Sequence, residues 1–325
     1  MSIQIENIIA QKGEKINSFL NVGEASTYEV KIPIIIINGI QPGPKLCVLS
    51  GIHPVEYTSI EAVLRIAEKI EPKDLKGVLI LIPVVNIDGF HARAAFNNSI
   101  DYKNQNRVNP GNSNGTMSER VAYTLFEKVI SKVDYVVDSH SGDLIEDLDK
   151  IVMISETDDF NIKQKMIEMA SCYNVEYVQI NGPRSKEARN INGSVLVEAP
   201  KKYKIPCIAV ESGTVYPIRE ENVRFHYDGI INLMKYLDML EGKPNTWKQK
   251  INPPAQIISA NRGGIWRQKV LAGQKVKKDM VLGEISNLFG ETLEKIIAPF
   301  DGIVDHTRTC YEVNSGDWLL WITNI

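Results

Sequence analysis

The chain has 325 residues, 43% of them hydrophobic and 24% charged, with a formal net charge of −3 at pH 7. This is ordinary globular composition, enough for one large domain and a small one, and the lack of a basic block argues against nucleic acid or an anionic membrane as partner. No apolar run approaches the ~20 residues that cross a bilayer. The start, MSIQIENIIAQKGEKINSFL, lacks the basic and apolar regions of a signal peptide. Cys47, Cys172, Cys207 and Cys310 are scattered without CxxC spacing. They read as free thiols of a reducing compartment, which excludes a Cys-rich structural zinc site and points to the cytoplasm.

Residues 1–31 are mixed in polarity and predict an irregular or short-stranded lead-in. KIPIIIING (31–39) is a β-branched run ending in Gly, a strand, and QPGP (41–44) is a turn. A buried strand over 46–49, a helix over 57–70 and a second apolar run at 78–86 make a strand–helix–strand crossover unit. Residues 87–118 form a long polar loop, of the kind that is usually functional in a compact domain. A helix follows over 118–133, with Ser118 as its expected N-cap. Then come a strand through 134–143, further alternating strands and helices, a strand over 205–213 and an amphipathic helix over 220–240. Beyond Glu241 a Pro-containing linker leads to short β segments with regularly spaced Gly. The expected organisation is an α/β catalytic domain (1–245) and a small all-β module (255–325). The sheet should be mixed and mostly parallel, with helices on both faces.

Four of these strand ends carry chemistry. Ligands bind at the carboxyl ends of strands in open α/β sheets. His53 and Glu56 lie three apart where a strand passes into a helix, and His, His and Glu are the ligands of one class of catalytic zinc site. His140 ends another strand and supplies the third ligand. Alternation puts Asp138 on the same side, where it could hold the imidazole in one tautomer. Glu211 follows the apolar CIAV, where a carboxylate costs several kcal/mol unless paired or near a metal. Beside a metal-activated water it would act as general base. In the polar loop, Asn106 and Arg107 suit a substrate carboxylate, and Arg93 is a cation for a polarised carbonyl. His91, His226 and His306 are weaker candidates, and His226 and His306 read as structural or exposed.

In order, GIHPVE, DYKNQNRVNPG, DSHSGD and AVESG resemble the succinylglutamate desuccinylase/aspartoacylase family, relatives of the zinc carboxypeptidases. The usual pattern there is GxHGxE, DxxNLNRxFPG, DxHxG and a strand with a catalytic Glu. The likeness spans about 45–240, and the tail resembles the β module of many members. It implies a carboxypeptidase-like sheet and one Zn2+ per chain on His53, Glu56 and His140. It also implies Glu211 as base, Asn106 and Arg107 on a substrate carboxylate, and Arg93 at the carbonyl oxygen. Pro54, Gln105 and Asn109 depart from the usual Gly, Leu and Phe and put the substrate in question more than the chemistry.

The expected activity is zinc-dependent hydrolysis of the amide bond of a small N-acylated amino acid or related amine. A carboxypeptidase acting on peptides and a non-catalytic binding protein on the same fold stay open as alternatives. The expected partner is a small N-acyl molecule, with no nucleic acid and no membrane, and with room for a homo-oligomer.

Overall fold

The lead-in is more regular than its polarity suggests. In the computed structural model, which describes residues 2–181, 191–252 and 255–324, it opens with a hairpin of β1 (Ile3–Ile5) and β2 (Ile8–Ala10). The ten-residue β3 (Lys15–Glu24) then pairs antiparallel with β4 (Glu29–Asn38). β3 is the sheet's edge, and only Leu20 of its side chains is fully buried. With a single inward anchor it has almost no period-two signal to read.

β5 (Gln41–Leu49), α1 (Tyr57–Lys69) and β6 (Lys76–Ile82) form the predicted crossover unit. β6 stops at Ile82 rather than 86 because Pro83 has no N–H for the ladder. The polar loop holds two short elements, α2 (Ile87–Ala92), capped by the Asn86 side chain, and a single turn at Gln105–Arg107. α3 (Met117–Tyr123) continues through a wider turn to 129 and a tighter one to 132. Its cap is Thr116 and not Ser118. The Thr116 N–H donates to Glu119 Oε2 at 2.7 Å, half of a capping box. Ser118 instead donates its hydroxyl (2.6 Å) and N–H (2.8 Å) to Asp101, tying the loop down.

β7 (Tyr135–His140), β8 (Glu146–Ser155), α4 (Phe160–Ala170), β9 (Tyr177–Asn181), α5 (Val195–Glu198), β10 (Cys207–Thr214) and α6 (Glu220–Tyr236) complete the α/β part. At the centre of the sheet β6, β5, β7 and β10 run parallel, with β4 antiparallel to β6 and β3 antiparallel to β4 on one side, and β8 antiparallel to β10 on the other. Alternation on β5 sends Cys47 and Leu49 to one face and Leu46 and Val48 to the other. The first face is covered by Val121 of α3, by Phe126 just after it, and by Val195 of α5. The second is covered by Ile66 of α1, Met166 of α4 and Leu233 of α6. Helices therefore lie on both faces, as expected. Cys47, Cys172 and Cys207 are buried and unpaired, and Cys310 is half-buried.

The expected linker contains β11 (Lys250–Asn252), which pairs parallel with β9; Pro253 and Pro254 lie outside the described residues. The C-terminal strands are β12 (Gln256–Ser259), β13 (Gly264–Gln268), β14 (Lys275–Val276), β15 (Val281–Ser286), β16 (Thr292–Ile297), β17 (Gly302–Arg308), β18 (Glu312–Val313) and β19 (Trp318–Asn324). They enclose their own core around Trp266, Leu282, Ile285 and Leu320. β12, β14, β17 and β19 extend the central sheet, because β17 pairs with β8 and sets His306 opposite Leu148, while β16, β15, β13 and β18 form a separate antiparallel sheet.

At this junction Asp305 is fully buried, accepting from Gln179 Nε2 at 2.8 Å and from the Thr323 hydroxyl. Burial pushes its carboxyl from 3.8 up to about 6, against the lowering hydrogen bonds. A raised acid favours the folded state while protonated. Its contribution is complete below about pH 4 and is lost as pH rises through about 6. Asp305→Asn should therefore stabilise the protein relative to wild type more at pH 8 than at pH 4, by up to about 3 kcal/mol. Urea unfolding at the two pH values measures this.

Candidate metal and catalytic site

Strand register gathers three of the four motifs. β7 lies between β5 and β10, with Leu49 opposite Asp138 and His140 opposite Glu211, so the three carboxyl ends stop at one level. Past Leu49 the chain turns sharply at Gly51, whose φ is +61°. A Cβ there would come within 2.9 Å of the Val84 backbone, so only Gly fits. The turn delivers His53 and then Glu56, the N-cap residue of α1. The Glu56 side chain makes no capping bond and faces the imidazoles instead.

Glu56 Oε1 is 2.7 Å from His53 Nδ1, and Oε2 is 2.8 Å from His140 Nδ1 and accepts from the Ser141 N–H at 3.1 Å. One ligand atom from each of the three residues lies within 4.8 Å of the others. The opposite ring nitrogens are held from behind. Asn104 Oδ1 is 3.3 Å from His53 Nε2, and Asp138 Oδ1 is 3.1 Å from His140 Nε2. Asp138 is buried, and neither of its oxygens has another hydrogen-bond partner among the described residues. With a cation between the three residues, acceptors behind both Nε2 atoms would hold the tautomer that presents each Nδ1 lone pair to the ion. Two imidazole nitrogens and a carboxylate oxygen converging this way fit a zinc ion with an open coordination position.

Without an ion, the same groups compensate one another as charges. Burial alone would raise the Glu56 carboxyl, but His140 and His53 outweigh it and hold it at about 2. Burial would lower His140, and the carboxylates of Asp138 and Glu56 reverse this and raise it well above the usual imidazole range. A buried carboxylate between two imidazoles is the charge arrangement a divalent cation would satisfy.

Glu211 shares a small cavity, about 70 Å³, with His53, Glu56, His140, Asn106 and Arg107. Its side chain is 18% exposed, enough to meet solvent. Burial pushes its carboxyl up, yet the contact from His306 and the nearby charge of His140 hold it below the usual range, so it is ionised at neutral pH. Asn106 Nδ2 lies 3.3 Å from His140 Nε2, and its Oδ1 accepts from the Val195 N–H at 3.1 Å. Arg107 donates from Nη1 to the Asn106 carbonyl at 2.6 Å.

Arg93 stands apart from these residues. It is exposed at the C-cap of α2, with φ +54°, and does not line the cavity. The departures Gln105 and Asn109 are also outside the lining and work as loop ties. Gln105 Nε2 donates to the Ser118 carbonyl at 2.9 Å and Asn109 Nδ2 to the Gly193 carbonyl at 2.8 Å.

Among the lining residues not anticipated from sequence are His306 of β17 and Trp321 of β19. His306, read from sequence as structural or exposed, is buried in the pocket wall with Nε2 3.7 Å from Glu211 Oε2. β17 is buried on both faces, so no alternation marked the residue, and its partner is 95 positions away. His226 is buried with Nδ1 2.9 Å from Ser139 Oγ, and His91 is exposed. A larger cavity of about 640 Å³ lies at the opposite ends of β5 and β6, and among the described residues none of its lining is His, Cys, Asp or Glu.

The family model for the succinylglutamate desuccinylase/aspartoacylase catalytic domain matches residues 42–237. The chain belongs to this family. Membership carries with it the hydrolase, deacylase class. Among relatives, the N-alpha-acetyl-L-2,4-diaminobutyric acid deacetylase of Halomonas elongata is 23% identical over 309 residues, covering 93% of this chain and 88% of that protein. The product-bound ectoine utilization protein EutE (DoeB) of Ruegeria pomeroyi superposes with a TM-score of 0.88 at 19% identity, covering 98% of each chain. A family member from Rhodobacter sphaeroides superposes at 0.85 with 20% identity, covering 99% of this chain and 98% of that one. These structural likenesses run almost end to end and include the C-terminal strands. Among the described residues no helix is long and apolar enough to cross a membrane.

Proposed function

We propose that the protein is a zinc-dependent deacylase that hydrolyses the amide bond of a small N-acylated amino acid or related amine. The observation that carries this reading is the meeting of His53, Glu56, His140 and Glu211 in one small cavity walled partly by C-terminal strands. A cleft closed on that side suits a small molecule better than a polypeptide. The name of the Halomonas elongata relative agrees with this substrate class.

His53, Glu56 and His140 would hold the ion, which when bound lowers the pKa of a water toward ~7 and polarises a carbonyl. Glu211 accepts the proton of the attacking water and passes it to the leaving nitrogen. Arg107, with Asn106 beside it, binds the substrate carboxylate through its planar fork. Arg93 stays in the proposal as the cation for the developing oxyanion, and from its exposed position it would have to move inward with substrate bound. The α/β part up to about 245 carries the chemistry, and the module from 255 supplies wall.

The experiment is to incubate purified protein with N-acetyl, N-succinyl and other N-acyl amino acids, an N-acetylated diamino acid among them, and with free peptides, with and without chelator. Chelator-sensitive release of the acyl group from the first set is expected. Preferential cleavage of peptides would favour a carboxypeptidase, and metal-independent binding without turnover a binding protein.

The loop bearing Arg107 rests on Gly193, whose φ is +76° and where a Cβ would sit 2.3 Å from the Arg107 carbonyl oxygen. Gly193→Ala should push the loop away and raise KM by roughly tenfold, about 1.4 kcal/mol of binding, with zinc content unchanged. Steady-state kinetics and metal analysis check both halves of this expectation.

A further inference from the structure

His306 has the placement of a residue with a task. It sits where β17 breaks register against β19, between Val304 and His306. Such bulges re-aim a side chain and recur beside active sites. The strand next to it, β8, pairs in turn with β10, which breaks its own register just after Glu211. Two irregularities thus face each other across one strand and turn His306 and Glu211 toward the same cavity. The imidazole is 5% exposed and stacks on Trp321, ring centroids 4.3 Å apart and planes 25° apart. That stack fixes the ring plane. Nδ1 has no hydrogen-bond partner among the described residues, so Nε2 is the nitrogen whose hydrogen has an acceptor to face, Glu211 Oε2 at 3.7 Å. This is ion-pair range and long for a hydrogen bond. Contacts at catalytic groups are commonly long without substrate and tighten when it binds.

We propose that His306 is the positioning residue for the base. Its Nε2–H holds one oxygen of Glu211 so that the other faces the attacking water, and Trp321 clamps the imidazole in that orientation. The inference rests on the reading of Glu211 as base. It gives the C-terminal strands a part in the chemistry, since the site is incomplete without β17 and β19. No proton is transferred by His306. It donates one hydrogen bond before, during and after proton transfer at Glu211.

The test compares His306→Gln, His306→Asn and His306→Ala with wild type on an N-acetyl amino acid that the wild type hydrolyses. A Gln amide nitrogen reaches the place of Nε2, whereas an Asn amide falls short at the place of Nδ1. His306→Ala should lower kcat about 10- to 100-fold, the usual scale for a lost orienting partner, with KM and zinc content near wild type. His306→Gln should recover most of kcat and His306→Asn little of it. In a Glu211→Gln background, His306→Ala should cause no further loss. If the Ala variant fails to fold, the Gln-to-Asn comparison decides alone. Wild-type kcat in His306→Ala, Gln no better than Asn, a loss in KM alone, or the same loss in the Glu211→Gln background would each overturn the positioning role. A wild type that hydrolyses none of the N-acyl compounds would overturn the functional reading, and this inference with it.

Discussion

Glu211→Gln is expected to lower kcat by about 10²- to 10⁴-fold, the range that a positioned general base contributes, while the protein keeps one zinc per chain. The amide is nearly isosteric with the carboxylate and can still face His306, so the cavity should keep its shape. It cannot accept the proton of water at neutral pH, whereas Glu211, held ionised by His306 and His140, can. Substrate should still bind, because Asn106 and Arg107 are untouched, so KM should change little. Steady-state kinetics with metal analysis of the same preparation measure all three quantities. A variant with near-normal kcat would remove Glu211 from the base role and direct the search to other acceptors in the cavity.

His140→Ala is expected to lose metal and activity together. In the proposed site the ring would supply one of three ligand atoms, and among the described residues its Nε2 is the one hydrogen-bond-range contact of the buried Asp138 carboxylate. Removing it leaves Glu56 and Asp138 buried with less compensation, a change that typically costs about 3–5 kcal/mol. The expected variant is both metal-free and less stable, and added zinc should not rescue it. Urea unfolding, zinc content and turnover should fall in parallel. A His140→Ala variant that binds zinc as wild type does would place the ion elsewhere.

Much of the candidate site was legible because its parts are local motifs on adjacent strand ends. His53 and Glu56 are three residues apart, Asp138 and His140 two apart, and each group follows an apolar run that reads as a buried strand. Parallel register then brings those ends to one level. Features without a local signature were not legible. The approach of His306 to Glu211 depends on β17 docking against β8, a pairing between distant segments that no periodicity announces. The outward turn at Arg93 depends on α2, six residues long and begun by an Asn86 cap inside a stretch that reads as loop. Ser118 has the right residue type for an N-cap, but Thr116 two residues earlier forms the box with Glu119, and Ser118 bonds to Asp101 instead. β3 was missed because an edge strand with one buried side chain carries little alternation.

The central claim is that His53, Glu56 and His140 gather one hydrolytic zinc ion. Stoichiometric restoration tests it most directly: strip the protein with chelator, remove the chelator, and follow turnover of an N-acyl amino acid as zinc is added back. Activity should be absent at the start, rise in proportion to added zinc and stop rising at one equivalent per chain. Full activity in the stripped protein, or turnover that ignores added metal, would contradict it.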